Sequence, residues 1–110
     1  MEKLIWNVEN FNNIEVTKML ETKDTKEIRI CMQNGAIMKE HQAPAPISIQ
    51  VLKGKITLGV ESEKFELSEL EMIALNANIK HSLIALQDSI IRLSLSKNDD
   101  VSRVFKVLNK

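Results

Sequence analysis

The stretch Ile47-Ser48-Ile49-Gln50-Val51-Leu52-Lys53-Gly54-Lys55-Ile56-Thr57-Leu58-Gly59-Val60 decides the fold class. Ile47, Ile49 and Val51 recur at every second position, and Ile56, Leu58 and Val60 do so again after Gly54. Period two means one buried face and one wetter face, the pattern of antiparallel strands. Lys53-Gly54 between the two runs reads as a tight hairpin, with Gly54 supplying a positive φ. The same alternation appears in Ile28-Arg29-Ile30-Cys31-Met32, in Phe65-Glu66-Leu67 and in Ile91-Arg92-Leu93-Ser94-Leu95-Ser96. Residues 14–20, 36–40 and 81–86 read as further strands. Turn signals fall at Glu61-Ser62-Glu63, 68–71, 76–80 and Gln87-Asp88-Ser89. Short strands at such spacing predict an all-β sandwich or barrel.

The chain has 110 residues and 12.5 kDa, which predicts one domain over 1–110. Fifteen basic and fifteen acidic residues give zero net charge, which argues against a nucleic-acid partner. An apolar content of 44% excludes a disordered chain, and the short apolar runs predict no membrane span. One cysteine, Cys31, leaves no internal disulfide. The apolar run at 4–6 is shorter than the roughly 7–15 residues a signal peptide needs, so the expected location is cytoplasmic.

The two ends read differently. Residues 7–11 suggest a short helical turn capped by Asn7. Across 100–109, Val101, Val104, Phe105 and Leu108 recur at helical spacing, while Val101, Arg103, Phe105 and Val107 alternate as a strand would. The helix is the favoured reading of this segment.

Two histidines are the main candidates for chemistry. His41 closes a strand-like run before the bend Ala43-Pro44-Ala45-Pro46, and His81 opens an apolar strand just after a loop. Both therefore fall at strand ends, where a barrel has its mouth. On spacing alone a lone histidine is more often a surface or core residue than a ligand. Cys31 reads as a small buried hydrophobe. Met32 and Met38 read as core, and Trp6 as a cover for one side of the barrel or for a partner subunit. Lys53, Lys55, Glu61, Glu63 and Lys64 read as a solvated surface, and Arg29 and Arg92 fall in the outward strand phase. No Ser-His-Asp order, phosphate-binding glycine loop or pair of catalytic carboxylates is present.

The segment from Gly35 through His41 to Gly54 resembles the first motif of the cupin superfamily, and Glu71 to His81 resembles the second. The resemblance spans about residues 26–96. It implies a small antiparallel jelly-roll β-barrel with one central cavity. By position, His41 and His81 match motif histidines, which implies metal ligands at these two positions. Ala43 stands where a second histidine belongs, and Pro46 or Ile47 where the glutamate belongs. In the second motif Leu70 replaces the turn glycine, Asn76 the proline and Asn78 the loop glycine. Asn tolerates a left-handed backbone better than most residues. The segment starting His41-Gln42-Ala43-Pro44 also resembles small stand-alone bacterial cupins in which that second histidine is commonly missing.

A stable site for Zn, Fe, Mn or Ni wants three or four protein ligands, so His41 and His81 make an incomplete one. Glu40 does not complete it, because neighbouring strand residues point to opposite faces. The expected cavity is lined by His41, Ala43, Ile49, Val51, His81 and Leu83, with Leu93 nearby. That is a mostly apolar pocket with two polar groups, suited to a small molecule. The favoured function is small-molecule binding. The alternatives are a metal-dependent enzyme of isomerase or dioxygenase type, and a partner-binding or structural barrel. Residues 81–86 are apolar on both strand faces, and small cupins usually pair, so a homodimer is expected.

Overall fold

The computed structural model describes residues 1–97 and Val104. Its described residues form nine strands. These are β1 (Ile14–Glu21), β2 (Thr25–Met32), β3 (Ile37–His41), β4 (Ile47–Lys53), β5 (Lys55–Val60), β6 (Glu63–Ser68), β7 (Met72–Leu75), β8 (His81–Ala85) and β9 (Ser89–Ser96). They build two antiparallel sheets, one in the order β1-β2-β9-β4-β7 and the other β3-β8-β5-β6. The chain crosses between the sheets at every connection except β1–β2 and β5–β6. This is the expected jelly-roll barrel.

The alternation read from the sequence is the inward face. Ile28, Ile30 and Met32 from β2, Ile47, Ile49 and Val51 from β4, and Ile56 and Leu58 from β5 are all buried. Ile91, Leu93 and Leu95 from β9 meet them in one apolar core, which Val104 joins. The intervening residues of these strands face outward, which follows from the two-residue repeat of the pleat.

Two readings need correction. Lys53-Gly54 is not a hairpin. Gly54 has φ +91°, as expected, but β4 and β5 lie in different sheets and do not pair. Gly54 is the corner at which the chain leaves one sheet for the other. The tight hairpin is instead the two-residue loop Glu61-Ser62, closed by the pairing of Val60 with Glu63. Two alternating runs joined by a glycine look alike in either arrangement; long-range pairing chooses between them.

The N-terminal helical turn at 7–11 is also absent: these residues form no regular element. Leu4, Trp6 and Val8 are half-buried while Ile5, Asn7 and Glu9 are exposed. The segment therefore runs extended, setting alternate side chains against the outer face of the five-stranded sheet. A single helical turn is costly to nucleate and would bury less of this apolar set. The expected C-terminal helix over 100–109 lies outside the described residues, apart from the buried Val104.

The two positions where Leu70 and Asn78 stand in place of motif glycines both have a left-handed backbone. Leu70 has φ +71° and Asn78 φ +65°. Leu70 is also 71% exposed, so its side chain contributes little burial to offset the strain. Leu70→Gly is expected to stabilise the protein by about 1 kcal/mol, the strain relief less the added freedom of the unfolded glycine. Chemical denaturation would detect this as a higher midpoint at unchanged slope.

No described helix is long and apolar enough to cross a membrane.

Candidate functional site

The two histidines are brought together by strand pairing. β3 pairs with β8, and His41 lies opposite His81 in register. Met38 lies opposite Leu83, so β3 spends one more residue than β8 between these two pairs. This bulge resets the phase of β3 and puts His41 beside His81 while leaving Glu40 exposed. His81 in turn lies opposite Val60 of β5. The loop between β7 and β8 is tied to the first motif by Asn78, whose N–H donates to the Ala43 carbonyl at 2.7 Å. The left-handed backbone at Asn78 thus serves the closure that aligns the two histidines.

The ring centres are 4.3 Å apart and the ring planes are tilted by 59°. His81 is 2% exposed, whereas His41 is half-buried and nearer the surface. Each ring sits with Nδ1 near a backbone carbonyl two residues before it. The distances are 2.8 Å from His41 to Lys39 O and 2.9 Å from His81 to Ile79 O. A carbonyl can only accept, so Nδ1 of each ring carries the proton. In the neutral imidazole the lone pair is then on Nε2. Holding one ring nitrogen on a carbonyl also fixes the orientation of the other.

The other residues expected beside the pair are all buried: Ala43, Ile49, Val51 and Leu83 are at most 3% exposed. A resident metal is poorly served by this donor set. Among the described residues, no three of His, Cys, Asp and Glu are grouped to hold one. Ala43 offers no donor where a third ligand would stand. Cys31, a conceivable soft ligand, lies in the phase opposite Ile30 and Met32. It pairs with Glu15 and Ile90 on the outer side of the five-stranded sheet.

Cys31 is buried there, and burial pushes its thiol pKa up, against the opposing pull of the neighbouring Arg29 charge. A raised pKa means less thiolate at any given pH. Cys31 is expected to resist a disulfide reagent at pH 8 in the native protein and to react promptly in denaturant. A single absorbance time course in each condition checks this.

The outer face of the five-stranded sheet carries a polar cluster that sequence reasoning did not assemble. Glu27 is 8% exposed. Its Oε1 accepts from Arg92 Nε at 2.6 Å and from Ser94 Oγ at 2.7 Å. Arg29 and Arg92 lie directly opposite each other on β2 and β9. The outward phase of both arginines was legible in the sequence, but the β2–β9 register that joins them to Glu27 was not. Beside this cluster, Trp6 of the N-terminal segment lines two clefts of about 290 and 410 Å3, the second shared with Glu27 and Arg92. Trp6 covers a sheet face, as the sequence suggested.

The fold is that of the cupins. A cupin superfamily protein from Desulfitobacterium hafniense superposes with a TM-score of 0.74 at 10% identity, over 82% of this chain and 83% of that one. An RmlC-like cupin from Desulfovibrio desulfuricans gives 0.75 at 12% identity, over 87% and 95%. KdgF from a Halomonas species gives 0.71 at 25% identity, over 82% and 83%. No family model matches the chain, and no curated protein does.

Proposed function

We propose that the protein binds a small organic molecule through the His41–His81 pair. The observation that carries this reading is the juxtaposition of two carbonyl-anchored imidazoles on paired strands. Each Nε2 accepts a hydrogen bond from a ligand hydroxyl or amine, and the aliphatic walls take its carbon skeleton.

The test is a thermal-shift screen of hydroxylated metabolites and small organic acids, run on the parent and on His41→Ala, His81→Ala. A ligand at a hundredfold excess over its Kd adds about 2.7 kcal/mol. In a domain of this size that is a rise of roughly 10 °C in the parent. The rise should vanish in the double variant. A rise that survives both substitutions would place the ligand elsewhere.

A second reading is a metal site completed by the ligand's own oxygens. It is favoured by the anchoring of Nδ1 on a carbonyl, the arrangement metal-ligating histidines usually have. Here His41 and His81 would be the two protein ligands to Zn, Fe, Mn or Ni, and the metal would supply charge to hold and polarise an oxygen ligand. Elemental mass spectrometry on protein purified without chelator separates the readings. Near-stoichiometric metal that is lost in the double variant supports this one.

The homodimer belongs to the same proposal. Ile37 is 59% exposed, pairs with the half-buried Ile84 and leaves an apolar strip with Leu86 on the outside of the four-stranded sheet. The N-terminal segment lies on the other sheet and leaves this strip open. Sedimentation at micromolar concentration should give a dimer, and Ile37→Lys should shift it to the monomer.

A further inference from the structure

We propose a second binding site, for the oxyanion group of a small solute, on the outer face of the five-stranded sheet. Strand register makes it. Thr17, Arg29, Arg92, Gln50 and Met72 form one continuous row across the sheet. The neighbouring row contains Glu27, Ser94 and Ser48. Two arginines thus stand side by side on the central strands, with Glu27 the acidic residue in these two rows. Like charges directly opposite each other on paired strands are unfavourable. Glu27 compensates Arg92 through the 2.6 Å ion pair.

Two further observations indicate an anion beside Arg92. Ser48, Gln50, Met72, Arg92 and Ser94 enclose a recess of about 70 Å3. That volume is the size of one carboxylate or one phosphate group. Glu27 engages Arg92 through Nε, the inner nitrogen of the guanidinium, so the outer nitrogens are the ones left to face a ligand. A guanidinium held this way beside an amide and a hydroxyl is an arrangement that recognises planar or tetrahedral oxyanions. The recess opens on the face of β4 and β9 opposite the core, so it is separate from the histidine pair.

The probes are inorganic phosphate and acetate, titrated at constant ionic strength into the full chain with amide chemical shifts as the readout. The expected result is saturable shifts at Ser48, Gln50, Arg92 and Ser94, with each probe showing which oxyanion is preferred. Arg92→Gln and Gln50→Leu should each weaken binding at least tenfold. Gln50 lies outside the ion pair, so Gln50→Leu stays informative if Arg92→Gln compromises folding. His41→Ala, His81→Ala should leave the response unchanged, which separates this site from the proposed one in the barrel. Shifts that stay linear to high anion concentration overturn the proposal. So do saturable shifts that persist in Gln50→Leu, or recess shifts that follow protein concentration instead of anion, which would mean a second copy covers the recess.

Discussion

Gly54→Ala is expected to cost about 3 kcal/mol and to lower the melting temperature by roughly 15 °C. Gly54 has φ +91°, a backbone region where an L side chain pays about 1–2 kcal/mol. There is also no room. A Cβ at this position would lie against Ser89 Oγ and 2.5 Å from the Asp88 carbonyl oxygen. Ser89 cannot retreat, because it is fully buried and bonded on several sides. Its hydroxyl oxygen accepts from Lys55 N at 3.2 Å, and its proton is shared between the Gln87 and Lys55 carbonyls. The corner between β4 and β5 is thus clamped onto the start of β9. Gly35 is a useful control. Its φ is +89° but a Cβ there would meet nothing within 4 Å. Gly35→Ala should therefore cost only the backbone strain, about 1 kcal/mol. Equal losses at the two glycines, measured by denaturant unfolding, would show that the clash at Gly54 is relieved at little cost.

Glu27→Ala is expected to cost about 2–3 kcal/mol. The exposed half of the Arg92 pair contributes little by itself, since Arg92 is 45% solvent-accessible. The cost comes from elsewhere. Two charge-assisted hydrogen bonds to a nearly buried carboxylate are lost, and Arg29 and Arg92 are left facing each other without an intervening anion. The double variant Glu27→Ala, Arg92→Ala removes both the carboxylate and the repulsion. Its loss should fall short of the sum of the two single losses by about 1 kcal/mol or more. Strict additivity would show that the two residues act independently. Phosphate should also protect the parent against thermal unfolding if the outer-face recess binds it, and this protection should fall in the Gln50→Leu variant.

The sequence by itself determined most of the strands and, for β2, β4, β5 and β9, which side is buried; in β6 the alternation misleads, because Phe65 is exposed while Leu67 is buried. Ile47, Ile49, Val51, Ile56, Leu58, Ile91 and Leu93 alternate with polar residues, and the pleat turns that alternation directly into an inner and an outer face. Glycine at 54 and asparagine at 78 marked left-handed backbone for the same local reason, since few residues adopt it readily. β7 was harder to see, because four residues, Met72 to Leu75, between two turns carry too little alternation to stand out. The N-terminal turn was misread because the sheet face that receives Leu4, Trp6 and Val8 does not exist until the barrel closes.

What only the tertiary structure decided was pairing. Whether Gly54 bends a hairpin or turns a corner depends on β9 and β7 claiming β4, while β6 and β8 claim β5. The same long-range choice set His41 against His81 across forty residues, with a bulge in β3 correcting the phase between them. It also aligned Glu27 with Ser94 and Arg29 with Arg92 on the outside of the barrel. A local pattern fixes which side of a strand is apolar. The hydrogen-bonded partner on either edge is fixed by the packing of the whole core, because each inward side chain must find a complementary one across the barrel.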